Sequence, residues 1–146
     1  MEKEVLITIK SSQSTGGEEA EPTELITLGS YACRGGLKKF SYMESTITGL
    51  DGTKTEFLIR PEEIVMNRTG AITGRMVFSL GKKHRFLYGT PYGTLAMGIN
   101  TNSIDVRLDE QGGSLELAYD LDFENAHLSR NCISITIKEK TEKENI

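Results

Sequence analysis

From Val5 to Ile137, apolar and polar residues alternate in short runs, each closed by a turn signal, and nowhere does the spacing become that of a helix. The pattern is plainest late in the chain, where Ile104, Val106 and Leu108 interleave with Asp105, Arg107 and Asp109. Leu115, Leu117, Tyr119 and Leu121 do the same with Glu116, Ala118 and Asp120. A period of two sends successive side chains to opposite faces, so each run predicts a strand with one face on a core and one in water. Strands are expected near 3–11, 24–34, 37–48, 53–60, 63–68, 72–80, 84–90, 94–100, 103–109, 114–122 and 126–138.

Turn chemistry separates these runs. Asp51-Gly52 predicts a type I′ hairpin turn, whose two central residues both need positive φ. Thr90-Pro91-Tyr92-Gly93 suits a type I turn, and Gly81-Lys82, Asn100–Asn102, Gln111–Gly113 and Glu124-Asn125 mark further reversals. Residues 12–23 are polar, Gly-rich and cut off by Pro22, which predicts a mobile loop that could act as a lid. The end of the chain from Lys138 has mixed charge and no apolar face, so one domain is expected over 1–140 with 141–146 fraying beyond it.

Eleven short strands with no helix to cover a sheet leave a sandwich or a barrel. A Greek-key sandwich needs long crossovers, and the one long connection is the first loop. The expected fold is therefore all-β, a single closed up-and-down antiparallel barrel whose first and last strands pair. Closure also removes the exposed edges that strands rich in Ile and Val would otherwise present. A barrel of about eight to ten strands is either filled by its own side chains or holds one small ligand, so its interior is the functional question.

Composition adds constraints. A chain of 146 residues is long enough for one core without staples. The start, MEKEVLITIK, has early acids and no small-residue cleavage pattern, and no run approaches the roughly 18 apolar residues of a membrane span. Cys33 and Cys132 cannot make a disulfide framework and are expected to stay reduced, which places the protein in the cytoplasm, off the membrane. A net charge of −4 argues against nucleic acid as the default partner. Between Arg60 and Arg85, however, six bases stand against two acids, whereas the first loop region carries Glu18, Glu19, Glu21 and Glu24. The basic window either solvates an outer face or offers a surface to a protein or RNA.

The stretch SYMESTITGLDGTKTEFLIR, the longer one from IVMNRTG through MVF and YGTPYG to LAYDLDF, and LSRNCISITIK resemble the YwiB-like family of small bacterial proteins, a domain of unknown function. The resemblance covers nearly the whole chain and implies a calycin-like β-barrel, the broad fold group of lipocalins and fatty-acid-binding proteins. It implies no settled activity. The matching positions are Tyr42 and Glu44 in YMES, Arg68 and Gly70 in NRTG, Met76 and Phe78 in MVF, and Tyr88, Thr90, Tyr92 and Gly93 in YGTPYG.

Strand parity turns some of these into candidate chemistry. Phe40, Tyr42 and Glu44 share one parity, so a strand that buries the aromatics also turns the Glu44 carboxylate inward, where it needs a partner. Arg68 follows Ile64 and Met66 at the same parity and would supply it. Such a pair orients a ligand carboxylate or amide, unless it only satisfies itself in the wall. Tyr88, Thr90 and Tyr92 would line a mouth or cap the barrel end. His84 and His127 have no ligand-type neighbours at metal spacing, and joining them to Cys33 and Cys132 would need four distant positions to converge, so no metal or cofactor is expected. No nucleophile motif is present, and a non-enzymatic protein is expected.

Two functional readings result. In one, a small hydrophobic or amphiphilic ligand lies between Phe40, Tyr42, Phe57, Met76, Phe78, Phe86, Tyr88 and Met97, oriented by Glu44 and Arg68. In the other, the interior is sealed and the outer face docks a protein or an RNA through Arg60, Arg75, Lys82, Lys83 and Arg85.

Overall fold

The alternating runs form strands in a computed structural model that describes residues 2–140. They are β1 (Glu2–Thr15), β2 (Glu18–Glu19), β3 (Thr23–Arg34), β4 (Leu37–Met43), β5 (Thr53–Ile59), β6 (Ile64–Gly70), β7 (Gly74–Phe78), β8 (Lys83–Thr90), β9 (Gly93–Asp109), β10 (Gly112–Phe123) and β11 (Ala126–Glu139). One 3₁₀ turn, Thr46–Thr48, is the sole helical element among the described residues. The strands run β7-β6-β5-β4-β3-β1-β11-β10-β9-β8, with β2 added beside β1. Consecutive strands pair antiparallel, and β1 zips to β11 from Val5↔Glu139 to Ser14↔Arg130. The fold is thus the expected antiparallel up-and-down barrel. Closure is nearly complete: β7 and β8 meet through an isolated bridge at Thr73↔Gly89, whose two backbone hydrogen bonds are 3.0 and 2.8 Å long.

Four local expectations need correction. The runs 94–100 and 103–109 are one strand, β9, and Asn100–Asn102 is not a reversal. Its pairing with β10 passes from Tyr119↔Thr101 to Ala118↔Ser103, leaving Asn102 as the extra residue of a bulge. The mobile loop of 12–23 is instead a hairpin. Gly16 and Gly17 take φ of 59° and 84° and return the chain so that Ser14 and Thr15 pair with Glu19 and Glu18. The strand expected over 37–48 stops at Met43, because Ser45 accepts the Ile47 amide at 3.1 Å and starts the 3₁₀ turn, which ends at Gly49 in the left-handed region. Asp51-Gly52 does turn the chain, but of the two only Gly52 has positive φ, as a type II turn requires; Glu124-Asn125 is a non-glycine pair with positive φ at both positions. The end of the chain departs as well: Lys138 and Glu139 continue β11, while the tail expected over 141–146 lies outside the described residues.

Inward side chains fill most of the barrel. Phe40 and Phe57, partners across β4 and β5, stack at 4.8 Å, and Phe78 meets Tyr119 edge-on at 4.9 Å. Ile7, Ile64, Met66, Ile99, Leu115 and Ile135 close the spaces between them. Each such side chain contributes about 1.5–3 kcal/mol by leaving water. Phe40, Phe57, Met76, Phe78, Phe86 and Met97, expected to flank a ligand, are all buried in this core.

Candidate functional site

One open space lies at an end of the barrel. A cavity of about 300 Å³ sits where the β1–β2 hairpin, the connection from β4 to β5 and the end of β6 approach one another. Register builds its base. Tyr42 on β4 pairs with Thr55 on β5, which pairs with Arg68 on β6, so three neighbouring strands present these side chains in a row. Glu44, one inward step beyond Tyr42, is held to β5 by its amide on the Thr53 carbonyl at 2.9 Å.

Glu44 is well satisfied. Thr55 Oγ1 donates to Oε2 at 2.6 Å, Thr48 Oγ1 donates to Oε1 at 2.9 Å, and the Tyr42 hydroxyl also bonds the carboxylate. Arg68 Nη2 stands 3.8 Å from Oε2, the carboxylate side chain being 3% exposed and the guanidinium side chain 17%. Arg68 Nε–H donates to Thr55 Oγ1 at 3.4 Å, so one hydroxyl ties the pair together. Burial, reinforced by the Glu44 charge, pushes the Tyr42 hydroxyl well above the ordinary tyrosine range. Tyr119 and Asn131, from β10 and β11, face the pair across the cavity, with Ile9, Met66 and Ile133 as apolar wall.

Of the residues expected to form a site, the structure brings Tyr42, Glu44 and Arg68 together. The rest lie elsewhere. Met76 and Phe78 are core beneath the cavity. Tyr88 is half-buried with its ring edge-on to Phe86 at 6.5 Å. Thr90 Oγ1 accepts from the Tyr92 amide and donates to the Gly93 carbonyl, which makes it a turn residue, and Tyr92 is 100% exposed. The sequence reading passed over Thr48, Thr55, Asn131 and Tyr119, although Tyr119 shares the parity of Leu115 and Leu117.

The basic window is partly neutralised. Lys83 pairs with Asp122 at 2.6 Å and Arg60 with Glu63 at 3.8 Å, and Arg85 reaches Asn125 Oδ1 at 3.5 Å. His84 Nε2 shares a hydrogen bond with Ser79 Oγ at 3.1 Å, and His127 faces Asp120 at 3.5 Å. Among the described residues no three His, Cys, Asp or Glu side chains converge as metal ligands would. Among the described residues no helix is long and apolar enough to cross a membrane.

A family model described as a domain of unknown function, DUF1934, matches residues 7–135. The chain belongs to this family. One relative is the uncharacterised β-barrel protein YwiB of Bacillus subtilis (strain 168), 30% identical over 123 residues that cover 83% of this chain and 84% of the relative. The crystal structure of the YwiB protein from Bacillus subtilis matches with a TM-score of 0.83 at 28% identity, covering 96% of this chain and 94% of that one. The relative and its solved structure supply a fold, and none of the matches names an activity.

Proposed function

We propose that this DUF1934 barrel is a non-catalytic, cytoplasmic binding protein that holds one small amphiphilic molecule in the cavity at its end, in the manner of a calycin. The observation that carries this reading is Arg68: a guanidinium mostly shielded from water, fixed by Thr55 and Glu44, lines a cavity of about 300 Å³. That volume is at the lower end of small-molecule sites. The polar head of the ligand bonds Arg68, and its short apolar part lies on Ile9, Met66 and Ile133. A long hydrocarbon is excluded by the packed interior.

Native mass spectrometry of protein purified without denaturation tests this. A reproducible added mass is expected, and its loss in Arg68→Ala, with an unchanged far-UV circular dichroism spectrum, ties it to the cavity. Absence of added mass, or its persistence in Arg68→Ala, overturns the reading. Loss of a co-purifying protein or RNA in Arg75→Ala and Lys82→Ala would put docking on the outer face in its place.

A further inference from the structure

The polar groups of the cavity fall into two sets of opposite character. At the base are donors. Arg68 has five N–H groups, and the protein takes one of them at hydrogen-bond distance, the Nε–H to Thr55. Tyr119, 6% exposed, lines the same cavity. Burial, partly offset by Arg68, pushes that hydroxyl up to about 12, so at neutral pH it carries a proton to donate. Both donors border one space, where an acceptor on a ligand can pair with them. An Arg fork with one hydroxyl beside it suits a carboxylate.

At the mouth is an acceptor. Glu21, just after β2, lines the cavity and has no ion-pair partner among the described residues, and Glu18 and Glu19 stand on β2 itself. The Glu44 charge is already matched by Arg68. Glu21 thus leaves the cavity with one negative charge in excess. A purely anionic ligand would meet repulsion at the entrance, whereas an ammonium group there would be attracted. The volume of about 300 Å³ corresponds to about ten water molecules in the liquid, the bulk of an amino acid or a small dipeptide.

Building on the binding function proposed above, we infer that the ligand is a small zwitterion of the amino-acid or dipeptide type, its carboxylate on Arg68 and Tyr119 and its ammonium toward Glu21. Binding gives the donors at the base a carboxylate and the acid at the mouth an ammonium in one step.

Nuclear magnetic resonance titration tests the inference with three pools at matched concentration: the common amino acids with their glycyl dipeptides, the corresponding deaminated acids, and the corresponding decarboxylated amines. Saturable shifts at Arg68 Nε–H and at the Tyr119 and Glu21 amides are expected from the first pool. Either stripped pool should bind at least about tenfold more weakly, the worth of one charge-assisted hydrogen bond. Glu21→Gln, an exposed substitution, should lower the affinity of the first pool to that of the deaminated acids. Equal binding of the deaminated pool overturns the zwitterion and leaves the binding function standing. No response to any pool, with an Arg68-dependent added mass still present, overturns the zwitterion alone; no response and no added mass removes both.

Discussion

Tyr31, Tyr42 and Tyr119 carry their hydroxyls into the barrel, and water is what a phenolate needs. Tyr31 donates to the Asp109 carbonyl at 2.6 Å, and its pKa is pushed to about 12 by burial with help from Cys33 and Asp109. Burial takes Tyr119 to about 12 as well. A phenol that titrates near 10 in the unfolded chain and near 12 in the folded one binds more protons when folded between those values. Its contribution is complete below pH 10 and is lost as pH rises through 12. For Tyr119 the two-unit shift corresponds to about 2–3 kcal/mol. Urea unfolding from pH 8 to pH 12 should therefore show a stability that is level and then falls above pH 10, in step with phenolate absorbance at 295 nm. Tyr119→Phe should flatten part of that fall; an unchanged slope would mean that this hydroxyl is hydrated in solution. At the same scale, Glu44 and Arg68 were legible because each shares a parity with apolar neighbours on its own strand. Thr55 and Tyr119 were not, because their positions beside that pair follow from pairing and curvature between strands, which a single run of residues does not encode.

The β1–β2 hairpin shows what alternation leaves unsaid about an element. Its residues are polar on both faces, so nothing in their pattern separates strand from loop. The backbone settles the matter instead, since Ser14 pairs with Arg130 on one side and with Glu19 on the other, and the Ala20 amide bonds the Gln13 carbonyl at 2.8 Å. The bulge at Asn102 misleads in the reverse direction: Asn-Thr-Asn is turn chemistry, yet long pairing on β10 carries the strand through. The hairpin bears on the site, because it forms its mouth. Gly17 sits at φ of 84° with no atom near its missing Cβ, so a branched residue there is strained by the backbone alone. Gly17→Val should cost about 1 kcal/mol locally and leave the unfolding midpoint nearly unchanged, because the hairpin tip buries no apolar side chain. Hydrogen exchange at Thr15, Glu18 and Ala20 should accelerate while Ile7 and Ile9 keep their protection. Equal acceleration throughout β1 would show that the hairpin and the barrel open as one unit.

At the scale of the molecule, the ring is closed by nine ladders and one seam. The chain ends are not the weak point: β1 is paired on both edges, to β3 and β11, over residues 5–11. The weak point is mid-chain, between β7 and β8, where the lone bridge is Thr73↔Gly89 and the next tie is Leu80↔Thr101. Opening there breaks few hydrogen bonds, whereas opening at any ladder breaks many, so sub-global unfolding should start at this seam. Hydrogen exchange should then be fastest over 74–78 and 83–87 among the strands and slowest in β1, β10 and β11. The bridge itself depends on glycine, since a Cβ at position 89 would run into Thr73 Oγ1. Gly89→Val should therefore strip protection from β7 and β8 and leave β1 and β11 as slow as before. Exchange that begins at β1 or β11 would place the gate of the barrel at the chain ends. With the gate at the seam, Phe78 and Phe86 loosen first, and Phe78 packs on Tyr119. A ligand that fixes Tyr119 should slow exchange at β7, although no residue of β7 lines the cavity.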